Sequence, residues 1–315
     1  MTSAFITGVG NTRFGRIEGE GALDLMAGAA SQALDDAQLG HGDIDGLLCG
    51  YATTLPHLML STLFAERFGL RPRYAHGMAL GGATGAAMLM LARDLVRVGR
   101  CRNVLVVAGE NRLSGQSRDS AIQTLAQVGD PNFEVPNGAS VPAYYALLAS
   151  RYMHATGLTQ DDLAQFAVLM RANAARHPQA HLQTPITAAD VAASKDIATP
   201  LRLLDCCPIS DGGMALVISD GPSEKPPVAI IGAGQAHQHQ HLSALGNVMA
   251  TGASVAADTA FAEAGVDRGA IDYLGIYDSF TITLAMLLEE PASQRAASRP
   301  VVCATVASHR VVHCR

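Results

Sequence analysis

Several features that mark major protein classes are missing from the 315-residue sequence. It has no tryptophan, only 16% charged residues, and a formal net charge of −6 without any run of Lys or Arg. These absences argue against nucleic acids and anionic membrane surfaces as partners. The longest apolar run, Gly77–Ala92, is shorter than the roughly 20 residues that cross a bilayer. Residues 1–20 contain no apolar segment of the kind found in secretory signals.

The cysteine pattern lacks a CxxC pair and any framework spacing. Reduced thiols in a cytoplasmic protein are therefore expected. A second possible ligand cluster, "HQHQH", has no cysteine or acidic residue nearby, so a solvated loop is favoured over a metal site, and no metal is expected. The cysteines are Cys49, Cys101, Cys206, Cys207, Cys303 and Cys314, and the histidines are His237, His239 and His241.

The first hundred residues alternate between strand-like and helix-like patterns. Strands are predicted at Ala4–Gly10, Asp43–Ala52 and Asn103–Glu110, and helices at Ala22–Leu39 and within Gly77–Gly99. A β-α-β-α-β order is typical of a mainly parallel sheet with helices on its faces. The sequence therefore predicts a layered α/β fold.

The pattern changes between residues 111 and 199, where helices follow one another. They are predicted at Val141–Gly157, Thr159–Pro178 and Thr187–Ser194, which indicates a helical insertion. A strand is predicted again at Gly213–Asp220. Residues 221–227 contain three prolines and are expected to be a linker.

After the linker the chain repeats itself. Ala33–Ala52 aligns with Ala260–Ser279 at a constant offset of 227, with the same predicted helix-turn-strand pattern. Duplication predicts an N-terminal half at 1–220 and a partial C-terminal half at 228–290. The alternative is that two β-α-β units resemble each other by chance.

The composition changes abruptly after Glu290. Residues 291–315 contain no Asp, Glu, Lys or Gly. An irregular tail is expected, produced by a frame change or truncation near Glu289–Pro291. The alternative is a genuine β-rich tail, with a strand at Val301–Val306.

A glycine-rich turn, "GGATG", precedes the apolar helix within Gly77–Gly99. Turns of this kind carry the nucleophile of many α/β enzymes, yet no residue from Gly77 to Ala92 is Cys, Ser, Lys, Asp or Glu. The positively polarised end of a helix can still bind an anion. This pattern therefore favours a binding role without a covalent intermediate.

Four segments together resemble the thiolase superfamily, and above all its sterol-carrier-protein-type thiolases and lipid-transfer proteins. They are "ITGVGNTRFG", "GGATGA", "LRLLDCCPISDGGMALVISD" and "YDSFTITLAMLLEE". The likeness extends from about Ala4 to Glu290. It implies a thiolase-like α/β fold, with duplicated β-α-β-α-β halves in an α-β-α-β-α layering. The second half is expected to be incomplete.

The resemblance also shows where the chain departs from the family. Gly82 stands at the position of the family's nucleophilic Cys, Tyr277 stands at that of a catalytic His, and a "GHP" segment is absent. An acyl-enzyme on this helix is therefore not expected. One subset of the superfamily likewise lacks the Cys, uses tyrosines as acid and base, and cleaves β-hydroxyacyl-CoA by a retro-aldol step.

Likeness to that subset implies aldol-type cleavage or formation of a carbon–carbon bond in an acyl-CoA. Tyr277 and Asp278 are the expected catalytic residues, with a phenol pKa lowered from about 10. Backbone N–H groups at Gly82, Ala83 and Thr84 are expected to bind the enolate oxygen. Coenzyme A enters as part of the thioester substrate, and no separate cofactor is expected.

The resemblance further implies a homodimer and a small partner protein with a zinc ribbon and an OB-fold. Two other functions stay open: a non-catalytic subunit that binds acyl-CoA or lipid, and an inactive truncated product. Single residues also have plainer interpretations. Tyr277 could be a half-buried aromatic, Gly82 a tight-turn glycine, and Cys206–Cys207 a nucleophile, although small buried hydrophobes are favoured for that pair.

Overall fold

A computed structural model describes residues 3–138, 140–221, 226–247 and 250–292. The chain divides into two compact units. The first unit comprises Met1–Ala121, Gln179–His181 and Ile209–Ala233, and the second comprises Ile122–Pro178, Leu182–Pro208 and Gly234–Arg315. In the described part of the chain, no helix has both the length and the apolar character needed to cross a membrane.

The strands are β1 (Phe5–Asn11), β2 (Gly46–Gly50), β3 (Tyr74–Met78), β4 (Asn103–Glu110), β5 (Asp196–Ala198), β6 (Leu201–Arg202), β7 (Gly212–Ser219) and β8 (Val228–Ala229). The α-helices are α1 (Ala22–Ala37), α2 (Leu60–Phe68), α3 (Thr84–Arg97), α4 (Arg118–Ala126), α5 (Val141–Thr156), α6 (Gln160–Ala174), α7 (Ala188–Ala193), α8 (Ala253–Ala264) and α9 (Thr281–Ala292). The expected α/β fold is confirmed by these elements.

The first unit contains a six-stranded sheet in the order β3-β2-β4-β7-β1-β8. Strand β2 runs parallel to β3 and β4, whereas β7 runs antiparallel to both β4 and β1. The sheet is therefore mixed, and the expectation of a mainly parallel sheet was wrong in this respect. Strand β7 joins the sheet beside β4 only after the long helical segment. No short right-handed β-α-β crossover links the two strands, so they need not be parallel.

Helices cover both faces of this sheet, because the apolar side chains of its buried strands point alternately to one face and the other. In β2, Leu47 and Cys49 pack with α1 and α2, and Leu48 packs with α3. Successive strand residues point to opposite faces, so one strand contributes to two apolar clusters. The cluster around α1 includes Met26 and Phe64, neither of which is exposed.

Strand β1 lies in direct contact with α1. A Cβ atom at Gly8 or Gly10 would lie 2.1 Å from the carbonyl oxygen of Ala33 or Ala29, respectively. Only glycine allows the two backbones to approach this closely. The glycines of "ITGVG" therefore position the helix rather than bind a phosphate.

The second unit contains the predicted helices of the insertion. Helix α5 ends before Gly157, which has a φ of 77°, and Thr159 caps α6 through the backbone N–H of Asp162. Both signals were read correctly from the sequence. Helices α5, α6 and α9 share an apolar cluster that includes Leu163 and Ile282.

The second copy of the repeat differs from its prediction. Its helix is present as α8, but residues 271–277 form no strand. A strand needs neighbours for its N–H and C=O groups, and none of the described strands pairs with this segment. Residues 222–225 of the predicted linker and 293–315 of the predicted tail lie outside the described residues.

Candidate active site

The glycine turn in the first unit is a short 3-10 helix, Gly81–Ala83, that leads directly into α3. Gly81 has a φ of 56°, in the left-handed region that favours glycine. Gly82 and Ala83 are exposed. The turn thus presents its backbone at the start of α3, as the sequence predicts.

Thr84 closes this turn with its side chain. Its hydroxyl donates to the Gly81 carbonyl oxygen at 2.7 Å and accepts the Leu80 N–H at 2.9 Å. The Ala83 N–H donates to the Leu80 carbonyl, and the Thr84 N–H donates to the Gly81 carbonyl. Of the three predicted binding groups, these bonds leave the Gly82 N–H as the one available to a ligand.

The carboxyl ends of β2 and β4 lie beside the turn within this unit. A Cβ atom at Gly50 would lie 3.6 Å from the Thr84 methyl carbon and 2.9 Å from the Ala108 Cβ. A side chain at residue 50 would therefore crowd β4. This places the turn at the strand ends where open α/β sheets bind ligands.

Glu110, at the end of β4, was not predicted as part of this region. Its carboxylate accepts hydrogen bonds from the backbone N–H and hydroxyl groups of both Thr53 and Thr54. Burial alone raises the pKa of Glu110, but these hydrogen bonds outweigh it and lower the pKa. The sequence signal that could have identified this group is a carboxylate at the end of one buried strand, β4, and a pair of threonines shortly after another, β2.

Tyr277 and Asp278 lie in the second unit, in an extended segment before α9. The Tyr277 side chain is exposed, with 56% of its surface accessible. Burial raises the pKa of the Asp278 carboxyl, and the next two residues, Ser279 and Phe280, are buried. The segment therefore passes from an exposed phenol to a buried anchor within four residues.

Cys206 of the motif "DCC" in the same unit supplies no thiolate. Burial raises the pKa of Cys206 to about 12, which leaves a neutral thiol at pH 7. Cys207 is exposed, so the expectation of two buried cysteines was wrong for this residue. Its N–H pairs with the Ser279 carbonyl, which fixes the backbone without enclosing the side chain.

Other predicted residues lie where the plainer interpretation placed them. Cys49 is buried in β2, and burial raises its pKa to about 12. His237 and His239 are exposed, in a segment that forms neither helix nor strand. The core interpretation of Cys49 and the solvated-loop interpretation of His237 and His239 are confirmed, whereas His241 is half-buried.

Comparison with solved structures first defines the class of fold. A structure described as the Ltp2-ChsH2(DUF35) aldolase matches with a TM-score of 0.80 and 30% identity, covering 92% of this chain and 76% of that one. An acetyl-CoA acetyltransferase from Syntrophomonas wolfei matches with a TM-score of 0.72 at 16% identity, covering 96% and 85%. The chain has a thiolase fold.

Sequence relatives then define the family. The thiolase C-terminal domain-like family matches residues 234–293. A steroid side-chain-cleaving aldolase of Thermomonospora curvata is 32% identical over 91% of this chain and 77% of its own length. A 17-hydroxy-3-oxo-4-pregnene-20-carboxyl-CoA lyase of Mycobacterium tuberculosis is 31% identical over 91% and 78%. The chain belongs to the thiolase superfamily, in its subset of sterol-carrier-protein-type thiolases and lipid-transfer-protein aldolases.

Proposed function

We propose that the protein cleaves a β-hydroxyacyl-CoA by a retro-aldol reaction that needs no acyl-enzyme. The feature that carries this proposal is the pair of residues at the positions where the resemblance implies the family's nucleophilic Cys and a catalytic His, namely Gly82 and Tyr277. The names of the relatives, an aldolase and a CoA lyase, support the same reaction class.

Tyr277 is assigned the role of general base. Its phenolate takes the proton of the β-hydroxyl group, the electron pair of that O–H bond forms a carbonyl, and the bond between Cα and Cβ breaks. The electrons of the broken bond move to the thioester, which becomes an enolate. Protonation of the enolate at Cα gives the shortened acyl-CoA, so a ketone or aldehyde and one thioester leave.

Asp278 follows Tyr277 and is assigned to the same step. Burial raises the pKa of its carboxyl, so the group holds a proton more readily than an exposed Asp. When the carboxyl takes up a proton during the reaction it becomes a donor, and it can pass that proton to the enolate carbon. This role is tested separately from that of Tyr277, by Asp278→Asn.

The Gly82 N–H is assigned to the thioester oxygen, on which negative charge develops during cleavage. An N–H at the start of α3 is supported for this role by the helix dipole. Removal of one such donor typically costs about 3 kcal/mol in the transition state. Ala83 and Thr84 support the turn, because their own N–H groups already donate within it.

The test uses the purified protein and two thioesters that differ in oxidation at Cβ. With the β-hydroxy compound 17-hydroxy-3-oxo-4-pregnene-20-carboxyl-CoA, mass spectrometry should detect a steroid ketone and a shortened acyl-CoA. With a β-ketoacyl-CoA and free coenzyme A, no thiolysis is expected. Thiolysis, or absence of cleavage of any β-hydroxyacyl-CoA, contradicts the proposal.

A matched pair of variants distinguishes loss of the Tyr277 hydroxyl from a general structural effect of replacing a tyrosine. Tyr277→Phe removes only the hydroxyl and should lower kcat by about 10² to 10⁴, the range for loss of a general base. Tyr273→Phe is the control, because 87% of the Tyr273 surface is exposed and this residue precedes Tyr277 by four positions in the chain. Equal effects of the two changes would show that Tyr277 has no special role.

The assembly state forms part of the same proposal. Strand β3 has one hydrogen-bonded neighbour, β2, among the described strands, and Ala75, His76 and Gly77 are exposed. An uncovered edge strand favours pairing with another chain, which supports a homodimer. Sedimentation analysis should give twice the chain mass of 32.8 kDa, and a monomer contradicts this part.

A small partner protein is also proposed, because the matching aldolase structure is described together with a DUF35 component. The expected partner carries a zinc ribbon and an OB-fold. Cleavage should therefore be measured with and without such a protein. A cytoplasmic location is also proposed, because no disulfide joins the cysteines among the described residues, and cell fractionation tests it. If binding without cleavage is found with and without the partner, the non-catalytic acyl-CoA-binding subunit becomes the better description.

A further inference from the structure

The motif "RLLDCC" binds the segment that carries Tyr277. Within the second unit, Cys206 forms an isolated antiparallel bridge with Phe280, and the Cys207 N–H donates to the Ser279 carbonyl at 3.0 Å. These two backbone contacts join a pair of segments more than seventy residues apart in sequence. The motif therefore holds residues 279–280 through backbone contacts at its cysteine end.

Asp205 adds a side-chain bond to this contact. The residue is only 5% exposed, and its carboxylate accepts the Thr281 hydroxyl at 2.9 Å and the Arg202 N–H at 2.9 Å. A buried carboxylate is tolerated only when it is hydrogen-bonded. The two hydrogen bonds therefore stabilise the packing of Asp205 against the start of α9. Loss of either donor would leave part of the carboxylate unsatisfied.

Thr281 is the first residue of α9, so the bond from Asp205 fixes where that helix begins. The Ser279 hydroxyl lies 3.1 Å from the Thr283 hydroxyl across the first turn. The Phe280 ring is buried and stacks on Tyr145, with 4.3 Å between ring centroids. The helix start is thus held by a buried ring and a buried carboxylate together.

Tyr277 lies four residues before Thr281, at the exposed end of this anchored segment. We infer that Asp205 is a positioning residue for Tyr277, and that it acts through Thr281 and the start of α9 rather than by touching substrate. One of the four segments that carry the family resemblance then has a physical task. It orients the phenol, while its two cysteines contribute backbone contacts.

The first test reports on the local environment of Tyr277 and does not depend on catalytic activity. A 3-fluorotyrosine is placed at position 277 by genetic-code expansion, and its fluorine NMR signal is recorded. Asp205→Ala and Thr281→Val should each shift or broaden the signal. Thr281→Ser keeps the hydroxyl donor and should restore the wild-type signal, and if Asp205→Ala does not fold, the two Thr281 variants decide.

Asp190 provides a matched control in the same unit. Its carboxylate also accepts a threonine hydroxyl, that of Thr187 at 2.7 Å, but at the start of α7. Asp190→Ala therefore removes a threonine–carboxylate bond of the same chemical type at an exposed site, and it should leave the fluorine signal unchanged. The inference is overturned if Asp205→Ala and Thr281→Val leave the signal unchanged in folded protein, or if Asp190→Ala moves it equally.

The second test is kinetic and rests on the proposed cleavage of a β-hydroxyacyl-CoA. Misplacement of a reacting group by 1 Å can lower a rate by about 10²-fold, so Asp205→Ala should lower kcat at least tenfold. KM should change little, since substrate binding does not use Asp205. If the wild-type protein shows no cleavage, the proposed function fails, whereas the fluorine signal still decides the role of Asp205.

Discussion

At the scale of single residues, Asp211 makes the most demanding set of contacts in the first unit. It has no exposed surface, and its carboxylate accepts the backbone N–H groups of Ile17 at 2.9 Å, Leu113 at 2.6 Å and Ser114 at 3.2 Å. Burial raises its pKa, but these donors outweigh that effect and lower it. One side chain therefore ties together three segments that are far apart in sequence.

Replacement of this carboxylate by an amide should be costly. In Asp211→Asn, the new NH₂ group faces N–H donors, and a buried donor without a partner costs about 1–3 kcal/mol. We expect a loss of about 3 kcal/mol in the free energy of unfolding, measured with urea. Asp220→Asn is the control: its pair with Arg102 is exposed, so a change below about 0.5 kcal/mol is expected. Equal losses would contradict the assignment.

The contribution of Asp278 to stability should depend on pH in the sense opposite to that of Asp211, because its pKa is raised and not lowered. Burial raises the pKa of its carboxyl above the usual 3.8, so the folded state holds this proton more tightly than the unfolded state. Its contribution to stability is then present below pH 3.8 and is lost as the pH rises through the folded pKa. Asp278→Asn should melt at a higher temperature than wild type at pH 7, with the difference shrinking towards pH 3. A difference that grows on acidification would contradict this sign.

At the scale of elements, the contact between β1 and α1 leaves no room for a side chain at Gly8 or Gly10. Because a Cβ atom at Gly10 would lie 2.1 Å from the Ala29 carbonyl oxygen, Gly10→Ala must push the helix away from the strand. Overpacking of this kind costs about 1–3 kcal/mol. Thermal melting should show the loss, while Gly42→Ala, which meets no atom within 4 Å, should change the melting temperature little.

The same scale shows which elements a single sequence reveals. Strand β4 and helix α5 were predicted almost to the residue, because each has a clear apolar pattern and a clear stop. Strand β3, with the sequence "YAHGM", was missed, since its exposed residues show no alternation. The strand expected at residues 271–277 does not form, because strand pairing depends on neighbours that no local pattern encodes.

The turn at Gly82 was expected from its glycine motif and is present as a short 3-10 helix. The catalytic roles of Gly82 and Tyr277 stay predictions. The bonds that Asp205 makes with Thr281, and Glu110 with Thr53 and Thr54, join segments distant in sequence. Such pairings depend on the tertiary structure, and the sequence alone offered only the residue types.

At the scale of the whole molecule, the carboxylates determine how stability depends on acid. Seven described carboxyl groups have a lowered pKa, and two, Asp278 and Glu289, have a raised one. The lowered group consists of Asp24, Asp45, Glu110, Asp130, Glu134, Asp190 and Asp211. Lowered values stabilise the fold above the unfolded pKa, and this stabilisation is lost as the pH falls through the folded pKa.

The urea midpoint should therefore be nearly constant at neutral pH and should fall below about pH 4, near the unfolded pKa of Asp and Glu. Much of the fall should come from Asp211 and Glu110, since exposed carboxylates are screened by solvent. Asp211→Asn should accordingly be less stable at pH 7 yet show a shallower fall on acidification. If the variant and the wild-type protein lose stability in parallel between pH 6 and pH 3, the carboxylate of Asp211 does not carry the acid sensitivity, and the bonds assigned to it at neutral pH are not those of an ionised group.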